Sequence, residues 1–264
     1  MKIKWIVLDL DGTLLNSQKE LPDKFWEMKE ELEAAGIKFI LASGRQYARM
    51  RSVMTPFSDD FLYLSDNGTL VFENQERLLA KTIEKDLAQR IIGIIWHHFE
   101  DLDIVVNTTE KSFFHRDITQ DMLETFKEYY EKYDLVEDLT TLKEVVKISI
   151  YDKNDVFENI EVLDQFQDQV NITHSGPTWV DIVPKDANKG LALEFVAKKY
   201  GIEMEEIMVF GDAMNDYDML KIAGYPVVME NADPRLKQQG YRVTASNDEN
   251  GVMKVLEELL NDRT

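Results

Sequence analysis

The chain has 264 residues, with 30 Lys and Arg set against 50 Asp and Glu, a formal charge of −20 at neutral pH. Such a surface repels nucleic acid and anionic membranes, and no run of clustered Lys or Arg offers a local exception. With no cysteine there is no disulfide framework, no thiolate metal site and no cysteine nucleophile, while 44% hydrophobic residues suffice for a large core or for a core plus a second module.

The first apolar stretch, Trp5 to Leu8, is interrupted by Asp9 and is too short for a signal-peptide core. The stretch from Ile91 to Trp96 is far short of a membrane span, so a cytoplasmic protein is expected. In chain order, a β-rich run from Lys4 to Leu10 stops at an acidic, Gly-containing loop. Helical spacing follows from Pro22 to Ala35, closed by Gly36. Lys38 to Ala42 reads as a buried strand, and Ser43-Gly44-Arg45 leads into a helix near Tyr47 to Met54. Phe61 to Ser65 is a third strand. This βαβαβ order belongs to a parallel sheet, and Asp66-Asn67-Gly68 then turns the chain into Thr69 to Phe72 as a hairpin.

From about Thr82 the rhythm changes. Helices are expected at Glu84 to Phe99, Ile118 to Tyr133 and Asp155 to Asp168, with strands at Asp103 to Asn107, Ser112 to His115, Val146 to Tyr151, Asn171 to His174 and Trp179 to Val183. After Pro184 the α/β order returns, with a helix near Asn188 to Tyr200 and a strand at Ile207 to Phe210. The expected fold is therefore an α/β, Rossmann-like parallel-sheet core, residues 1–81 and 187–264, interrupted by an α+β insert at 82–186.

In a parallel sheet, functional groups gather where strands end at their carboxyl side. Those ends carry Asp9-Leu10-Asp11-Gly12-Thr13, Ser43-Gly44-Arg45 and Gly211-Asp212-Ala213-Met214-Asn215-Asp216, and Lys189 opens the helix before the last of these strands. Asp9 is placed to attack phosphorus in line, forming an aspartyl-phosphate. Asp11 can protonate a leaving alkoxide and then deprotonate the water that hydrolyses the intermediate. Gly12 permits a tight loop with amides turned to phosphate oxygens, and Thr13 can fix that loop. Asp9, Asp212 and Asp216 with a phosphate dianion sum to about −5, more than Lys189 can offset, so a hard divalent cation with oxygen ligands, Mg²⁺, is expected. Each residue type also has a plainer use. Asp9 and Asp11 could mark a solvated turn, Ser43-Gly44 an ordinary helix cap, Arg45 a surface cation and Asn67-Gly68 only a hairpin turn.

The combination of DxDGT, a Ser after the second strand, a Lys before the last and GDxxND resembles the haloacid dehalogenase-like phosphatases. An insert between the Ser loop and the Lys, ordered αββαβαββ, is similar to the subclass IIB cap of their Cof-type branch. The tail Val243 to Val252 resembles that branch too. Met229-Glu230-Asn231-Ala232 departs from it in carrying Glu230 where relatives commonly have Gly. The resemblance implies Asp9, Asp212 and the Asp11 backbone carbonyl as metal ligands. Ser43, Gly44, Lys189 and Asn215 would lie at the phosphate, with Asp216 behind them. Arg45, Asn67 and Asp181 are candidates for substrate contact, and His97, His98, His115 and His174 form no metal-ligand pattern. The leading function is a Mg²⁺-dependent phosphatase of small phosphorylated metabolites such as sugar phosphates. A phosphomutase using the same aspartyl-phosphate, a receiver-type signalling module and a non-catalytic phosphate-binding scaffold are the alternatives. Asp11 beside Asp9 favours turnover over storage of the phosphoryl group.

Overall fold

A computed structural model of the chain describes residues 2–98, 103–151, 160–175 and 178–262. The elements run β1 (Trp5–Leu8), α1 (Phe25–Ala34), β2 (Lys38–Ala42), α2 (Tyr47–Val53) and β3 (Leu62–Ser65). There follow β4 (Leu70–Glu73), β5 (Glu76–Ala80), α3 (Lys85–His98), β6 (Asp103–Thr108), β7 (Ser112–His115) and α4 (Gln120–Phe126). Next come β8 (Tyr133–Val136), β9 (Val145–Tyr151), β10 (Val170–His174) and β11 (Trp179–Pro184). The chain closes with α5 (Lys189–Tyr200), β12 (Ile207–Gly211), α6 (Tyr217–Ile222), β13 (Tyr225–Val228), α7 (Pro234–Lys237), β14 (Arg242–Val243) and α8 (Gly251–Asn261).

Two compact units result, one formed by Met1–Ser43, Asp60–Leu64 and Lys189–Thr264, the other by Gly44–Asp59 and Ser65–Asn188. The second unit thus takes in Gly44–Asp59 and Ser65 to Lys81, which the sequence reading assigned to the core. In the first unit the strands lie in the order β14-β13-β12-β1-β2-β3, every pair parallel. Trp5, Ile6, Val7 and Leu8 are all buried, the continuous apolar run of a strand covered on both faces. The chain leaves β1 toward β2 and later returns to β12 on the other side, so the strand order reverses at β1. The carboxyl ends of β1 and β12 flank that reversal, the place where open α/β sheets bind their ligands.

The second unit is built on a six-stranded sheet, β10-β11-β9-β6-β7-β8, antiparallel except for the β7–β8 pair. Side-chain alternation sorts its central strands. Ile104 and Val106, Ile148 and Ile150, and Val180 and Ile182 join one buried cluster with Leu87, Ile91 and Ile95 of α3. Each such side chain contributes about 1.5–3 kcal/mol by leaving water. Val105 and Trp179, one residue out of step, pack instead with Phe114, Phe126 and Tyr130. β4 and β5 form a hairpin reversed at Asn74 and Gln75, both at positive φ, a turn the sequence reading did not include.

Two expected helices are corrected. The one at 118–133 ends at Phe126, and Tyr133–Val136 is a strand paired with β7. Thr119 caps the shortened helix, and Tyr130 and Tyr133 reach the same aromatic cluster as Phe126 from non-helical backbone, so an apolar spacing of helical period arose from a turn and a strand. Of the helix expected at 155–168, residues 155–159 lie outside the described residues and Ile160–Phe166 is a 3₁₀ helix. Among the described residues no helix is long and apolar enough to cross a membrane.

Candidate active site

Asp9 follows β1 directly and extends its ladder, its N–H donating to Phe210 O at 3.2 Å while its carbonyl accepts the Leu14 N–H. The first residue of α5, Lys189, is wholly buried and donates to Asp9 Oδ1 and to Asp216 Oδ1, both at 2.6 Å. The other Asp216 oxygen accepts the backbone N–H groups of Asp212 (2.9 Å) and Ala213 (3.0 Å) and so shapes the loop after β12. Thr13 Oγ1 donates to Asp212 Oδ1 at 2.9 Å. Gly12, at φ +76°, brings the first loop against the last, since a Cβ there would sit 2.4 Å from Asp212 Oδ2. Carboxylate oxygens of Asp9, Asp212 and Asp216 lie within 4.8 Å of one another.

Three carboxylates around one ammonium leave the cluster with excess negative charge in a dry place. Burial pushes the Asp9 carboxyl up to about 7; Lys189 pulls against that shift, and Asp216 adds to it. Burial, followed by repulsion from Asp9 and Asp216, likewise holds Asp212 well above the carboxylate range. Burial alone would lower Lys189, but Asp216 and Asp9 outweigh it and hold the ammonium firmly protonated. An all-oxygen donor set whose ionisation is opposed by its own charge fits a hard divalent cation.

Of the remaining predicted residues in this unit, Ser43 is buried just past β2, its N–H on Leu64 O, and Asn215 lies in the 3₁₀ turn Met214–Asp216. Asp11 is partly exposed, and its carboxylate is paired with Lys19 at 2.7 Å. The sequence reading did not single out Lys19.

Gly44, Arg45, Asn67 and Asp181 belong to the second unit. Asp181 is buried, and its carboxylate accepts from Asn67 Nδ2 (2.7 Å), Ser175 Oγ (2.8 Å) and Ser149 Oγ (2.5 Å), with Lys147 Nζ 3.7 Å away. Lys147 also donates to Gly44 O at 2.5 Å and stands 4.0 Å from Asp66, whose carboxylate accepts Asn107 Nδ2 at 2.6 Å. The Arg45 guanidinium lies 5.4 Å over the Tyr129 ring, and its carbonyl accepts the Asp66 N–H. Asp181 is thus a buried hub that holds Asn67, Ser149 and Ser175. Burial raises Asp66 to about 6, with Lys147 and the Asn107 hydrogen bond opposing the shift. Asp66, Asn107, Lys147 and Ser149 were missed from sequence. The available signal was Lys147-Ile148-Ser149, two polar residues on the same face of an otherwise apolar strand.

Among the described residues, Asp9, Asp212 and Asp216 are the acidic group suited to a metal ion, and no histidine joins them. A sequence profile described as haloacid dehalogenase-like hydrolase matches residues 6–256. The chain is 25% identical over 264 residues to the 5-amino-6-(5-phospho-D-ribitylamino)uracil phosphatase YbjI of Escherichia coli K12, covering 98% of this chain and 97% of the relative. Its structure is similar to that of SMU.1108c from Streptococcus mutans UA159, with a TM-score of 0.90 and 25% identity over 98% of this chain and 99% of the other. The fold also matches that of the subclass IIB sugar phosphatase BT4131, with a TM-score of 0.84 and 23% identity over 97% and 98% of the two chains.

Proposed function

Since the chain belongs to the haloacid dehalogenase-like hydrolases and is a phosphoric monoester hydrolase, we propose that it is a Mg²⁺-dependent phosphatase of small phosphorylated metabolites, sugar or sugar-alcohol phosphates, acting through an aspartyl-phosphate. The observation that carries this reading is the buried Asp9 carboxylate at the end of β1, aligned by Lys189 and flanked by Asp212 and Asp216 where the strand order reverses.

In the first step an Asp9 oxygen forms a bond to phosphorus as the ester P–O bond breaks, and Asp11 gives its proton to the departing alkoxide. In the second, Asp11 takes a proton from water, the water oxygen attacks phosphorus, and Asp9 leaves as the carboxylate with release of inorganic phosphate. Asp11 is bonded to Lys19 in the structure, so its work as acid exchanges that contact for one to the leaving oxygen. Lys189 keeps one Asp9 oxygen fixed and its charge balanced throughout. The Gly12 amide, the Ser43 hydroxyl, the Gly44 amide and Asn215 bind phosphate oxygens, while Thr13 fixes the loop at the phosphate through its bond to Asp212. Asp9, Asp212 and the Asp11 backbone carbonyl would hold Mg²⁺, with Asp216 fixing the Asp212 loop from behind. When bound, the ion offsets the negative charge of the carboxylates and of the phosphate. Selectivity for the rest of the substrate falls to the second unit, residues 82–186 above all, with Arg45 and Asn67 on the frame set by Asp181 and Lys147.

The test is turnover of an aryl phosphate and of a panel of sugar phosphates with Mg²⁺, read as inorganic phosphate released, with acid quench to trap phosphate on Asp9. Phosphate released in many turnovers per chain supports hydrolysis. Transfer to an acceptor sugar would indicate a mutase, and a stoichiometric, long-lived phosphoprotein would indicate a signalling module.

A further inference from the structure

Two stretches, Met229–Ala232, which departs from the family pattern at Glu230, and the family-like tail Val243–Val252, enter none of the chemistry above. In the first unit both reach the loop that follows β1. Asn231 Nδ2 donates to Gly12 O at 2.8 Å, and Asn231 Oδ1 accepts the Asn247 N–H at 3.0 Å. Asn247 Nδ2 donates to Leu15 O at 2.9 Å. Asp248 accepts the Ser17 N–H on one oxygen and the Ser17 hydroxyl on the other, each at 2.7 Å. The backbone of the same bracket is fastened to the opposite wall of the site. The Met229 N–H donates to Gly211 O at 3.3 Å and the Asp233 N–H to Asp212 O at 2.8 Å. Exposed Glu230, in place of the commoner Gly, does not keep this stretch away from Asp212 or Gly12.

The loop from Asp11 to Glu20 has no helix or strand of its own, apart from a lone bridge between Asp11 and Leu15. Its position therefore depends on what its backbone groups are bonded to. Amide side chains are suited to this because one residue both donates and accepts. Asn231 accepts the backbone N–H of Asn247, and the two side chains donate to different loop carbonyls. The loop so held carries Asp11, Gly12 and Thr13, and Gly12 and Thr13 are the residues packed on and bonded to Asp212.

We propose that Asn231 and Asn247 are positioning residues, which act through the carbonyls of Gly12 and Leu15 to set the catalytic loop against Asp212. This rests on the phosphatase reading for its effect on turnover, whereas its effect on the loop stands independently of it. The two residues differ in surroundings. Asn247 is buried, so its removal strands Leu15 O in a dry place, whereas exposed Asn231 can be partly replaced by water.

The experiment is amide hydrogen exchange on the full chain without Mg²⁺ or substrate, together with kinetics on an aryl phosphate with Mg²⁺. Asn247→Ala and Asn247→Asp, which both lose the donor to Leu15 O, should speed exchange in the peptide covering residues 11–19 at least about tenfold, with β1 and α8 peptides unchanged. Their kcat should fall about 100-fold, the scale of a 1 Å misplacement, with KM within about twofold. Asn231→Ala, whose exposed position spares the fold, should show the same pattern at about tenfold in kcat. Unchanged exchange at 11–19 in these variants, or acceleration spread evenly over the chain, overturns the proposal, and so does a kcat loss without an exchange change. A wild-type chain that hydrolyses no phosphate ester would refute the phosphatase reading, and the exchange data would still decide the role of the bracket.

Discussion

Replacing Lys189 by methionine keeps the length and most of the volume of the side chain while removing its charge. The ammonium is wholly buried and bonded at 2.6 Å to two carboxylates, so the change leaves Asp9, Asp212 and Asp216 without a compensating cation. One unit charge pair near 4 Å is worth about 4 kcal/mol at an effective dielectric of 20, and two such attractions are lost. Proton uptake by Asp9 limits the damage, because that carboxyl already titrates at about 7. The net expectation is the cost of breaking a buried pair, about 3–5 kcal/mol. The sign with pH follows from the direction of the Asp9 shift. A folded-state value above the ordinary carboxylate value of 3.8 means that its stabilising share is complete below about pH 4 and is lost as pH rises through about 7. Without Lys189 the shift is larger, so the deficit of Lys189→Met relative to wild type should be greater at pH 8 than at pH 5. Urea unfolding of both proteins at the two pH values, in chelator throughout, reads this directly from the midpoints. A deficit under about 1 kcal/mol at pH 8, or one equal at both pH values, would refute the account of Lys189 as the charge that holds this cluster together.

Asp9→Asn should abolish turnover of every phosphate ester, with residual activity above about 1% counting against a nucleophilic Asp9. The same variant should match or exceed wild-type stability at pH 8 in chelator, because it removes a carboxylate whose ionisation is opposed by burial. Chelation should silence the enzyme and Mg²⁺ should restore it, with Ca²⁺ a poor substitute owing to its larger, looser oxygen shell; full activity after exhaustive chelation would contradict the charge arithmetic. Asp66, raised to about 6, favours the folded state most below about pH 4 and loses that share as pH rises through 6. Asp66→Asn should flatten the stability profile between pH 4 and 7 by about 3 kcal/mol, and carboxyl NMR of the wild type should place the titration of Asp66 near 6 rather than near 4.

The parallel sheet was legible because β1, β2 and β12 are unbroken apolar runs that stop at the acidic or Gly-containing loops expected where strands end. Asp9, Asp212, Asp216 and Thr13 could be grouped for the same reason, since a parallel sheet collects the residues that follow its strands at one edge however far apart they lie in the chain. Lys189 was visible only by its spacing, and its burial was not, because a lysine at the start of a helix is ordinarily solvated. The strand at Tyr133–Val136 was hidden by aromatic residues whose helical spacing serves a turn and a strand packing on one cluster. The cluster of Asp66, Asn107, Lys147, Ser149 and Asp181 depends on the register that sets Ser149 opposite Asp181 and Asn107 opposite Lys147. The bracket from Asn231 and Asn247 to Gly12 and Leu15 spans more than 200 residues. Alternation and motif spacing are local properties of a chain and can be read from its order, whereas the partner of a buried polar group is chosen by strand register and loop closure, which exist only once the chain has folded.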